Sequence, residues 1–202
     1  MPEAVVPIAE LMSSFAAPWA VCGGWAIDAW LGRALREHGD VDLCVFNQDR
    51  LAIRDHLSGW QLVAHDTSVA GDASDLWDGR ALELPGHLHA RRDVGEPLPD
   101  SVNMAAEQGF SLDIQLNNRN DDHWVLLEQP KITVPLKDAI QPSPWGMPTV
   151  VPEVLLFFKA QDLRRRDRLD FQAVLPNLSV KQRTWLRDAI ARMGHPWLSE
   201  LA

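Results

Sequence analysis

Trp19-Ala20-Val21-Cys22-Gly23-Gly24-Trp25-Ala26-Ile27-Asp28, answered shortly afterwards by Arg36-Glu37-His38-Gly39-Asp40-Val41-Asp42-Leu43, decides the fold of this chain. Trp19–Cys22 is a short apolar run and reads as a strand. A glycine pair follows at once. Ile27, Trp30 and Leu31 then recur at i, i+3 and i+4, which predicts a helix over 25–34. Residues 40–46 alternate, with Val41, Leu43 and Val45 on one side and Asp40, Asp42 and Cys44 on the other, which predicts a second strand. A glycine pair between strand and helix lets backbone approach a ligand closely. The helix N-terminus behind it offers free N–H groups and the positive end of a dipole, a device for holding phosphate. The pair lies about 16 residues before Asp40, enough for a helix and a return strand.

On one strand, Asp40 and Asp42 present their carboxylates on the same face, roughly 7 Å apart along the backbone. Two hard oxygen ligands on a rigid edge can share or bridge Mg²⁺ ions. Farther along, Phe110–Leu116 alternates cleanly, with Phe110, Leu112, Ile114 and Leu116 against Ser111, Asp113 and Gln115. If its strand neighbours that of Asp42, three carboxylates converge, the set used in two-metal phosphoryl or nucleotidyl transfer. Each piece alone has a plainer reading: Asp-x-Asp is common on a polar face, and Gly-Gly makes tight turns. The joint order of strand, Gly-Gly, helix, Asp-x-Asp strand and lone-Asp strand is far more specific.

These residues resemble the core motif of DNA polymerase beta-like nucleotidyltransferases. The branch they resemble is that of aminoglycoside 2″-adenylyltransferases and lincosamide nucleotidyltransferases. The motif spans Gly23–Asp28, Leu31–Arg33 and Arg36–Leu43, within about residues 19–46. A second segment, Leu155-Leu156-Phe157-Phe158-Lys159-Ala160 followed by Arg166-Asp167-x-x-Asp170-Phe171, resembles a helical part of relatives of those enzymes. The resemblance implies that Gly23 and Gly24 cradle nucleotide phosphates. Asp40 and Asp42 would bind two Mg²⁺ ions. Asp113 would be the third carboxylate, as metal ligand or as general base. Arg36 and His38 would contact phosphates or brace the site, Lys159 would sit near the nucleotide, and Asp28 would be structural or substrate-facing. Arg166 stands where many relatives carry Lys, so no role is carried over to it.

The fold expected is α/β (α+β): a small mixed nucleotidyltransferase sheet flanked by helices, then a C-terminal helical bundle, with residues 1–150 catalytic and 151–202 helical. The function expected is Mg-dependent transfer of a nucleoside monophosphate, AMP from ATP as the leading case, to a hydroxyl of a small antibiotic-like molecule. Another nucleoside triphosphate could serve as donor. A protein or RNA acceptor, or a non-catalytic nucleotide-binding role, are the competing readings. The intact trio of Asp40, Asp42 and Asp113 argues against the last.

Composition sets the outer bounds. The chain has 202 residues, 46% hydrophobic and 23% charged, an ordinary globular balance. Residues 1–150 hold 10 basic and 22 acidic side chains, net −12, whereas residues 151–202 hold nine and six, net +3. The total of −9 argues against nucleic acid and anionic membrane as partners and suits a cationic acceptor or bound divalent metal. No apolar run approaches a membrane span. Met1-Pro2-Glu3 opens no signal peptide, and Cys22 and Cys44 match neither a disulfide framework nor a zinc pattern. A reducing cytoplasm is the expected compartment, with monomer or homodimer left open. Both cysteines read as small buried residues. His87-x-His89 with His65 reads as loop histidines sooner than as a metal site. The run Arg164-Arg165-Arg166 with Arg168 reads as a solvated helix face paired to Asp162 and Asp167, or as a cationic wall facing a triphosphate. Nine Trp and no Tyr mean that stacking on a base falls to Trp, Phe or His, without saying which.

Elsewhere, helices are predicted over 3–16, from an Asn47 cap through Leu57, over 153–161 and 165–175, and from the capping box Ser179-x-x-Gln182 to Gly194. Further strands are predicted over 60–65, 81–84, 86–90, 123–127 and 131–134. Residues 93–103 read as a loop. The cluster Pro142, Pro144, Gly146, Pro148 and Pro152 reads as the connection between the two parts.

Overall fold

The alternating segments around Asp42 and Asp113 become the centre of a mixed sheet. The computed structural model describes residues 1–65, 75–92, 111–127, 131–161 and 164–201. Its elements run α1 (Val6–Met12), β1 (Trp19–Val21), α2 (Gly23–Leu31), β2 (Val41–Phe46), α3 (Arg50–His56), β3 (Gln61–His65), β4 (Asp75–Leu76), β5 (Gly86–Arg91) and β6 (Ser111–Asn120). They continue with β7 (His123–Leu127), β8 (Ile132–Pro135), α4 (Leu136–Ala139), β9 (Ile140–Pro142), β10 (Pro148–Val150), α5 (Pro152–Lys159), α6 (Arg165–Val174) and α7 (Val180–Ala191). The sheet order is β4-β3-β5-β6-β2-β1-β10-β9, with β7 on the far half of β6 and β8 on β7.

Register matters most in one pair. β2 and β6 are parallel neighbours, and Asp42 stands opposite Asp113. The apolar sides of both strands, Leu43, Val45, Leu112, Ile114 and Leu116, are fully buried. A slip of one residue in either strand would turn a carboxylate into that core, so burial of one face holds the two aspartates in register.

Helix α2 starts at the glycine pair and ends at Gly32 in the left-handed conformation. Its Trp30 indole donates to Val150 O at 2.7 Å, tying the helix to β10. Apolar positions of α5, α6 and α7, among them Leu156, Phe157, Phe171 and Ile190, join one core with those of the sheet. The Ser179–Gln182 capping box opens α7 as expected.

Several expectations change. The proline cluster is an edge hairpin of the sheet: β9 and β10 pair antiparallel, and β10 pairs parallel with β1. Proline is tolerated there because an edge strand and a strand start need fewer N–H donors. The first helix is a 3₁₀ turn over Glu3–Val5 followed by the short α1, which stops at Met12. Asn47 does not cap a helix with its side chain; it begins a 3₁₀ turn ahead of α3. Residues 81–84 form no strand, while His87 and His89 sit on β5 and not in a loop. Asp40 lies just before β2 and is exposed. Phe110, Asp162 and the segment 93–103 lie outside the described residues.

Candidate active site

The glycine pair presses the start of α2 against the carboxylate strand. Gly23 has φ +63°, a left-handed conformation that favours glycine. A Cβ there would come within 1.8 Å of Asp42 Oδ2. One built on Gly24 would meet the His38 ring at 2.4 Å and Arg36 Nη2 at 2.7 Å. The glycines thus admit Asp42, His38 and Arg36 to the helix N-terminus. The Cys22 amide donates to Asp42 O at 2.9 Å and fixes the same junction.

Asp42 is the most perturbed carboxyl described. Burial, then the like charges of Asp113 and Asp40, push it from 3.8 up to about 6, while Gln115 Nε2 donates to its Oδ1 at 3.1 Å and partly opposes the rise. Across the register, Asp113 Oδ1 is buried and accepts no hydrogen bond among the described residues. His87 Nδ1 stands 3.7 Å from it, an ion-pair distance longer than a hydrogen bond. Asp113 holds that imidazole above its ordinary value against its partial burial. Burial pushes both thiols up, Cys22 with help from Asp42, so they are poor nucleophiles, in line with the sequence reading.

A divalent cation fits this place. Its donors are hard oxygens, one of them orphaned and buried, and the Asp42–Asp113 repulsion is of the kind a cation relieves. Among the described residues, no group of three His, Cys, Asp or Glu side chains is close enough to hold a metal. The register brings Asp42 and Asp113 together as a pair, and Asp40 stands at the exposed strand start. No such group forms around His87 and His89 either.

The other expected residues divide. His38 is a brace: Nε2 pairs with the buried Asp28 Oδ2 at 2.7 Å, and its ring lies 4.6 Å from Trp25. Asp28 also accepts the Leu35 amide at 3.2 Å, so it is structural. Lys159 lines the cavity, but its ammonium is held by Asp170 Oδ2 at 2.7 Å and Asp167 Oδ1 at 3.2 Å. Arg36 Nη2 lies 3.8 Å from the same Asp170 oxygen and joins motif and helices. Arg164 pairs with Asp167 at 2.7 Å, as the paired-face reading of the arginine run expects, and Arg164 and Arg166 also line the cavity.

The cavity, about 350 Å³, runs along the strands from Gly23 and Gly24. Its floor is Asp42 and Cys44 on β2 and Asp113, Gln115 and Asn117 on β6. Leu155, Phe158 and Lys159 of α5 form the opposite wall, with Trp124, His87, Arg36 and Arg166 at other points. Sequence reading missed Gln115, Asn117, His87 and Trp124 as site residues. For the first two the signal was present, since they continue the polar face of the Asp113 strand.

Comparison with known proteins bears on the family and the fold. The aminoglycoside-2''-adenylyltransferase family model matches residues 4–70. No curated protein sequence matches the chain significantly. Among solved structures, the lincosamide antibiotic adenylyltransferase LnuA, bound to lincomycin, is similar with TM-score 0.55 and 19% identity over 86% of this chain and 96% of its own. The antibiotic-resistance factor ANT(2'')-Ia in solution gives TM-score 0.56 and 16% identity over 94% of this chain and 90% of its own. Its complex with adenylyl-2''-tobramycin gives 0.54 and 16% over 94% and 96%. The resemblance drawn from Gly23–Leu43 therefore holds on two counts: the adenylyltransferase family model covers that motif, and the mixed sheet with its helices is the fold of solved antibiotic nucleotidyltransferases.

Proposed function

We propose that this chain is an enzyme transferring a nucleoside monophosphate, AMP from ATP, to a hydroxyl of a small antibiotic-like acceptor. The observation that carries the reading is the meeting of three elements: a positive-φ glycine at a helix N-terminus, Asp42 pressed against it, and Asp113 in register beside Asp42. The family match and the antibiotic adenylyltransferases of the same fold support it. Residues 1–150 supply the catalytic face, and 151–202 supply the helical wall with Lys159.

Each residue's task follows from its place. The start of α2 receives the triphosphate through its N–H groups. Asp42 and Asp113 would hold Mg²⁺, with Asp40 adding negative charge at the strand start; the ion, when bound, would offset phosphate charge and favour loss of pyrophosphate. The acceptor oxygen attacks the α-phosphorus, the bond to the bridging oxygen breaks, and pyrophosphate leaves. The hydroxyl proton passes to a carboxylate, and Asp113, whose Oδ1 accepts no hydrogen bond among the described residues and pairs with His87 at 3.7 Å, is the base in position. Gln115 orients Asp42, and Asp28 with His38 steadies the loop before β2. LnuA and ANT(2'')-Ia are described with lincomycin and tobramycin. An acceptor of that size and kind is the first to try here, in a soluble cytoplasmic setting.

The test is pyrophosphate release with ATP, Mg²⁺ and a panel of lincosamides and aminoglycosides, with acceptor adenylylation read by mass. Asp42→Asn should abolish release while remaining folded. A wild type that releases no pyrophosphate with any triphosphate and any acceptor overturns the proposal.

A further inference from the structure

The far end of the cavity holds groups that the transfer chemistry leaves unused. Trp124 is 2% exposed and lines the cavity, yet its indole Nε1 has no hydrogen-bond partner among the described residues. Leaving a buried donor without a partner is costly, so such a donor on a residue of a cavity wall marks a place where a ligand atom can complete it. Beside it stands Phe158, with ring centroids 5.5 Å apart at 34°. Asn117, on the same cavity, gives its amide N–H groups to Gln115 O at 2.9 Å and Cys44 Sγ at 3.4 Å, which leaves its carbonyl oxygen to accept.

We infer that Trp124, Phe158 and Asn117 form a subsite for a planar ring that carries a hydrogen-bond acceptor next to a donor, and that this ring is the nucleobase of the triphosphate. The inference rests on the nucleotidyl-transfer reading and deepens it. Asp113, Gln115 and Asn117 lie on one face of β6 and all line the cavity. A ligand with phosphates at Asp42 and Asp113 and a ring reaching Asn117 spans that face, and a nucleotide is such a ligand. The indole N–H donates to a ring nitrogen or carbonyl, the Asn117 carbonyl accepts from the neighbouring N–H, and Phe158 supplies an apolar face. With no Tyr in the chain, this wall is the aromatic surface the sequence had left unassigned.

The experiment compares Mg-ATP with Mg-tripolyphosphate, which has the anion without the base, by calorimetric titration of the full chain. The wild type should bind ATP at least about 10-fold tighter than tripolyphosphate, the worth of one hydrogen bond plus ring contact. Trp124→Phe, and independently Asn117→Ala, should each weaken ATP about 5-fold and leave tripolyphosphate unchanged. Equal affinity of the wild type for the two ligands overturns the subsite without needing any variant. So does a Trp124→Phe change confined to the KM of the acceptor, because the ring would then belong to the acceptor. If neither ATP nor tripolyphosphate binds, the nucleotidyl-transfer reading falls and this inference falls with it.

Discussion

Lys159 offers a sharp test of how the site is built. Its side chain is 9% exposed, and the two carboxylates it joins, Asp167 and Asp170, are 0% and 2% exposed. Asp167 has a further partner in Arg164, itself 48% exposed, and Asp170 has Arg36 at 3.8 Å. Lys159→Met keeps most of the side-chain volume and removes the central cation. Two buried anions then face each other with only peripheral compensation. Breaking a buried pair of this kind costs about 3–5 kcal/mol, against a typical domain stability of about 5–15 kcal/mol. Urea unfolding followed by far-UV circular dichroism at pH 7.5 should show that loss as a lower midpoint with an unchanged slope. Adding Asp167→Asn and Asp170→Asn to Lys159→Met should recover a substantial part at pH 7.5, since the defect lies in the unpaired charge. A cost below about 1 kcal/mol, or no recovery in the triple variant, would refute the claim that Lys159 is a brace in the nucleotide-free protein.

Asp42→Asn should stabilise the metal-free protein while ending catalysis. The folded pKa of Asp42, raised from 3.8 to about 6, means that this carboxyl favours the native state below about pH 4 and loses that contribution as pH rises through 6. In EDTA the gain of Asp42→Asn over wild type should therefore grow between pH 4 and pH 7.5 towards an upper limit of about 3 kcal/mol, read as a difference in Tm. A gain that does not vary with pH would show that the charge is not the cause. Asp113→Asn should leave folding intact and remove pyrophosphate release; full activity in that variant would discard it as the base. Ser179→Ala should cost about 1 kcal/mol through loss of the α7 cap, measured by urea midpoint, with transfer activity unchanged.

What was legible in the sequence was local. Alternation at 41–46 and 111–116 needs only a pleat and a buried face, so Asp42 and Asp113 could be placed on polar faces before any partner was known. That the two strands are parallel neighbours with these aspartates paired depends on how the intervening chain folds back, and no pattern in either segment encodes it. The same limit hid Asp28–His38 and Lys159–Asp167–Asp170: a polar helix face looks alike whether water or a buried partner stands opposite. The proline cluster at 142–152 was read as a connection because proline punctuates, yet at a sheet edge it costs little, and the pattern contains no statement of which edge it joins.

The glycine pair shows most plainly where such reading stops. A glycine before a helix says that something approaches its α-carbon, and the phosphate reading assumed that the visitor is a ligand. In the folded chain the visitor at Gly23 is Asp42 Oδ2, and at Gly24 it is His38 and Arg36. Gly32 shares the positive φ, at 68° against 63°, but a methyl group on its α-carbon would meet nothing within 4 Å. Gly32→Ala isolates the backbone penalty, about 1–2 kcal/mol. Gly23→Ala adds the collision with the carboxylate and should cost at least about 3 kcal/mol. If both substitutions cost the same in urea unfolding, the close approach of Asp42 is not what demands glycine, and the pair is free for phosphate alone. If Gly23→Ala costs more, and Asp42→Ala recovers the excess in the double variant, then the motif's first task is to bring its own carboxylate to the helix N-terminus. Phosphate binding would then follow from that contact, because the cation held by Asp42 and the N–H groups of α2 would face the same few ångströms of space.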